Sequence, residues 1–85
     1  MPKRSKAAQS YYESHRSCEA CGFPAQEIHH ILTRRMGADE PWNFLSLCLP
    51  CHEQFHNHGR RSFADRHPDL APKIKEACQR LGRTF

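Results

Sequence analysis

Cys48-Leu49-Pro50-Cys51-His52-Glu53-Gln54-Phe55-His56 is the stretch whose reading decides the fold. Cys48 and Cys51 form a C-x2-C pair, a spacing that bends the backbone so that two thiolates converge on one ion. His52 and His56 lie four apart, and on a helix such a pair projects from one face. Two sets of metal ligands are thus interleaved in one short segment. Pro50 suits an early helical position and Gly59 a helical stop, so a helix is expected over residues 51–58.

Working outward, Cys18 and Cys21 repeat the C-x2-C spacing, followed by Gly22, which permits a tight loop. The full pattern is C-x2-C-x26-C-x2-C, and four thiolates make a closed tetrahedral site, the mark of a structural zinc. A chain of 85 residues, 38% of them hydrophobic, is one small domain whose apolar core alone is marginal, so a metal staple is physically reasonable. The paired spacing and the odd count of 5 cysteines favour zinc over disulfides. The polar start, Met1-Pro2-Lys3-Arg4-Ser5-Lys6, does not read as a signal peptide, and reduced cysteines in the cytoplasm are expected. Cys78, among apolar neighbours, reads as a small buried hydrophobe.

The insert between the knuckles carries its own pattern. Residues 26–32 read as a strand, on which the adjacent His29 and His30 point to opposite faces. Residues 33–42 form a loop with turn chemistry, and residues 44–48 alternate apolar and polar as a second, antiparallel strand. At the C-terminal end, Leu70, Ile74, Ala77, Cys78 and Leu81 recur at helical spacing, with Asp69 as the expected cap and Gly82 as the stop. Residues 1–10 lack hydrophobic pattern and read as a basic arm, while residues 11–16 fit a short helix or an extended lead-in equally well. The expected division is an arm over 1–14, a core over 15–60 and a helical extension packing on it over 61–85.

A net charge of +4 and groups of Lys and Arg along the chain suit a polyanionic partner. No apolar run is long enough to cross a bilayer, so no membrane partner is expected.

Together, Cys18-x2-Cys21, Glu27-Ile28-His29-His30-Ile31, Asn43, Leu47-Cys48-x2-Cys51-His52 and His56 resemble, in order, the HNH endonucleases, specifically the zinc-knuckle members of the ββα-metal nucleases. The resemblance implies an α+β fold: a ββα-metal core of hairpin plus helix, stapled by a zinc on Cys18, Cys21, Cys48 and Cys51, with flanking helices. It implies a DNA endonuclease that nicks or cuts both strands and leaves 5′-phosphate and 3′-hydroxyl ends. In it His30 is the general base, Asn43 fixes the hairpin loop, and His29, His52 and His56 hold a catalytic divalent ion. Imidazole's ordinary pKa of about 6.5 suits a base near neutral pH. Many members carry aspartate where this chain has His29, and three imidazoles favour Mn2+, Ni2+, Co2+ or Zn2+ over Mg2+. His58, six positions from His52, falls on the wrong face to replace His56. Arg34 and Arg35, in the loop, are expected to grip phosphates, and double-stranded DNA cut with low sequence specificity is the expected substrate. Two alternatives stand beside this: a non-catalytic zinc-stabilised nucleic-acid-binding module, and a nuclease subunit of a larger phage packaging or defence assembly.

Overall fold

Phe44–Leu47 (β2) pairs antiparallel with Glu27–His30 (β1) in the computed structural model, which describes residues 5–32 and 39–85. Three helices surround this hairpin: Lys6–Ser14 (α1), Leu49–Arg66 (α2) and Ala71–Arg80 (α3). Short 3-10 turns at Pro41–Asn43 and Pro68–Leu70 lead into β2 and α3. The fold is α+β, as the motifs imply. Arg34 and Arg35 lie outside the described residues.

Register fixes which way each histidine points. His29 stands opposite Leu45 and His30 opposite Phe44, and directly paired residues share a face. Leu45 and Leu47 belong to the main core with Phe55, Phe63, Ile74 and Ala77, contributed by α2 and α3. Phe44 belongs to a second cluster with Ala8 and Tyr11 of α1. The alternating residues 44–48 do form the expected antiparallel strand over Phe44–Leu47, and all four strand residues are buried. A helix covers each side, so even Ser46 is enclosed.

That second cover is the main departure from the sequence reading. Helical structure begins at Lys6, inside the stretch read as an unpatterned arm. Ser5 caps it by accepting the Ala8 N–H at 3.1 Å, and Ala8 and Tyr11, three apart, supply a narrow buried stripe. The lead-in over residues 11–14 is therefore helix. At the other end Asp69 does not cap α3; it lies in the preceding 3-10 turn, and Leu70 occupies the cap without a side-chain bond.

Gly59 interrupts α2 with φ 84° and ψ 168°, a backbone region that is essentially glycine-only, and the chain then resumes helical geometry to Arg66. The expected stop is thus a break that redirects one helix rather than ending it. A methyl group added there would meet nothing within 4 Å. The cost of Gly59→Ala is therefore conformational alone, and we expect about 1–3 kcal/mol of destabilisation. It would be read as a lower urea midpoint at unchanged slope.

Candidate metal centres and active site

The first knuckle is a tight loop. Gly22, at φ 85°, donates its N–H to the Cys18 carbonyl at 2.9 Å, and Ser17 and Pro24 bridge across the loop's base. Glu19 docks it on β2: its N–H donates to Ser46 O at 2.9 Å, and its carboxylate accepts the Ser46 N–H at 2.8 Å. Tyr11 donates to the same carboxylate at 2.7 Å, and Lys73 of α3 reaches the Tyr11 oxygen. Burial, reinforced by the hydrogen bond to Glu19, pushes the Tyr11 phenol above its ordinary range, and burial lowers the Lys73 ammonium. One carboxylate thereby joins α1, the knuckle, β2 and α3. No local pattern marks Glu19 for this role, because Ser46 and Lys73 are far off along the chain.

The second knuckle opens α2. Gln26 accepts the Leu49 N–H through its side-chain oxygen at 3.1 Å, anchoring the helix start beside β1. Cys18, Cys21, Cys48 and Cys51 converge, with their sulfurs all within 4.8 Å of one another. Cys21 Sγ and Cys48 Sγ are 3.5 Å apart, far beyond a disulfide bond and close to the roughly 3.8 Å edge of a tetrahedron with Zn–S near 2.3 Å. Burial opposes ionisation of Cys18, but backbone N–H groups of Cys48, Cys21 and Ala20 outweigh it and bring the thiol to about 7. Burial pushes the Cys51 thiol up, with its cysteine neighbours adding to the rise. A set of crowded sulfurs that resist joint ionisation is what a divalent cation resolves. Cys78 is buried elsewhere, outside the cluster.

His29, His52 and His56 make a second cluster, their ligand nitrogens again within 4.8 Å. His52 Nε2 and His56 Nε2 are 3.1 Å apart, near the roughly 3.3 Å edge expected for two imidazoles on one tetrahedral ion. His29 is 6% exposed and packs against Phe55 of α2, the rings tilted by 53° with centroids 4.1 Å apart. Its Nε2 is buried and has no hydrogen-bond partner among the described residues. Such an orphaned nitrogen is costly unless it is a ligand. Burial, then the neighbouring His52, His56 and His30, lowers its pKa to about 3, and burial also lowers His52. Both therefore favour the neutral form that a metal ligand needs. Three protein donors leave coordination positions open, unlike four thiolates. His58 is exposed and outside the cluster.

His30, on the other face of β1, packs edge-on against Phe44 at 5.0 Å. A groove of about 420 Å³ is lined by His29, His30, His52 and His56, with Gly59 and Arg60 at the break in α2. Asn43 is fully buried and clamps the loop base: its Oδ1 accepts the Leu32 N–H and its Nδ2 donates to Leu32 O, each at 3.0 Å. Asp39, in a stretch whose residues suit a turn, holds its Oδ1 3.0 Å from His30 Nε2.

A family model described as HNH endonuclease matches residues 18–58. No curated protein and no solved structure matches the chain.

If the two clusters hold separate ions, metal-saturated protein should carry two per chain by native mass spectrometry. His52→Ala should carry one and stay folded, whereas His58→Ala should keep both; loss of an ion in His58→Ala would contradict the assignment of His56.

Proposed function

We propose that the chain, whose residues 18–58 match a family model described as HNH endonuclease and include the four-cysteine cluster, hydrolyses DNA phosphodiester bonds with His30 as general base. One juxtaposition supports this most: a three-histidine cluster anchored on the buried His29 and a fourth histidine outside it line the same groove. A module that only bound nucleic acid would need neither the open coordination positions nor the fourth imidazole.

In this reading His30 takes a proton from the water that attacks the phosphorus. His29, from β1, and His52 and His56, from one face of α2, hold a divalent ion. When bound, that ion stabilises charge on the phosphate and on the departing 3′ oxygen. The water's oxygen bonds to phosphorus as the P–O3′ bond breaks, and the departing 3′ oxygen takes a proton from solvent, leaving 5′-phosphate and 3′-hydroxyl ends. Asn43 acts at one remove, holding the loop whose position sets the aim of His30. Arg60 lines the groove while its Nη2 donates to Thr84 O at 2.7 Å, and its charge would favour a backbone phosphate there, a contact that adds affinity without reading sequence. Arg34 and Arg35 would extend that grip. Three imidazole donors would favour Mn2+, Co2+, Ni2+ or Zn2+ over Mg2+, and four thiols kept reduced for zinc fit a reducing compartment. Among the described residues no helix is long and apolar enough to cross a membrane. Double-stranded DNA with low sequence specificity is the proposed substrate.

Wild type and His30→Ala, incubated with supercoiled plasmid across a divalent-metal series, should differ by about 100-fold or more in cleavage rate, with equal zinc content and equal folding. Equal rates would remove His30 from its role. Cleavage supported by Mg2+ alone would overturn the metal assignment.

A further inference from the structure

We propose that Asp39 is a positioning residue for His30, holding the imidazole through Nε2 so that Nδ1 is the nitrogen presented to the attacking water. The inference rests on the reading of His30 as general base.

The contact is Nε2 to Oδ1 at 3.0 Å, between side chains 13% and 44% exposed. An ionised carboxylate only accepts hydrogen bonds, so in neutral His30 the ring proton sits on Nε2 and the lone pair on Nδ1. The edge-on packing of Phe44 at 5.0 Å restrains the ring from the side of β2. The two constraints fix both the tautomer and the orientation.

Asp39 is itself held through the backbone. The Asn43 N–H donates to Glu40 O at 2.8 Å, which ties the residue after Asp39 to the 3-10 turn. On its other side Asn43 bonds to both polar backbone groups of Leu32, and its carbonyl accepts the Ile31 N–H at 2.8 Å. Asn43 therefore links the residues just after His30 to the residue just after Asp39. A half-exposed pair of this kind adds little to stability. Its consequence is orientation of a group that must meet a water in line with the scissile bond.

Asp39→Ala and Asp39→Glu separate this role from a surface ion pair. Asp39→Ala should lower kcat by about 100-fold while KM and the melting temperature stay near wild type, and Asp39→Glu should recover part of the loss. Nitrogen-15 shifts of the His30 ring in zinc-loaded wild type should show a protonated Nε2 and a bare Nδ1, and averaged tautomers in Asp39→Ala. An active wild type matched by Asp39→Ala overturns the role of Asp39 alone, as does a His30 ring protonated at Nδ1. A wild type inert with every metal overturns the nuclease reading and this role together.

Discussion

Cys48 caps α2 and Cys51 lies in its first turn, so whatever draws Cys18 and Cys21 against them also decides where the helix begins and how it is rotated. His52 follows Cys51 directly, and His56 lies one turn further on. A shift of α2 by one residue would turn its histidines by about 100° and carry them off the face that meets His29. In a domain of this size the core leaves little margin, and the four-sulfur cluster is what ties both knuckles to the hairpin. Glu19 supplies a second tie, bonding the first knuckle to β2 and, through Tyr11 and Lys73, to α1 and α3.

The two clusters divide the chemistry by their donors. Four sulfurs close a tetrahedron and leave nothing for a substrate, whereas three imidazoles leave positions open to a groove. β1 divides labour in the same way. Successive side chains on a strand face opposite sides, so His29 meets His52 and His56 while His30 stays outside that cluster. Gly59 then breaks α2 just past the histidines and leaves Arg60 on the same groove, so the bend belongs to the site as much as to the fold.

Features of the chain that are local in sequence were legible without a structure. The C-x2-C spacings, the opposed faces of His29 and His30, and the preference for His56 over His58 all follow from the period of a loop, strand or helix. Helix α1 was not legible, because its buried stripe is only Ala8 and Tyr11 and gains meaning from Phe44, far along the chain. The burial of Ser46 has the same cause: a polar residue at an alternating position signals solvent until a second cover arrives. Glu19 and Asp39 are single acidic residues whose partners, Ser46 and His30, are brought to them by knuckle and hairpin closure. No spacing rule encodes them.

The central claim is that the sulfur site positions the histidine site, and cobalt(II) titration of metal-free protein tests it most directly. Sulfur and imidazole donors give distinguishable cobalt spectra, so the two sites can be followed separately. The account predicts that the sulfur-to-cobalt bands saturate first, that the histidine-bound spectrum grows only afterwards, and that Cys21→Ala weakens cobalt binding at the intact histidines. Unchanged affinity of the histidine cluster in Cys21→Ala would contradict it.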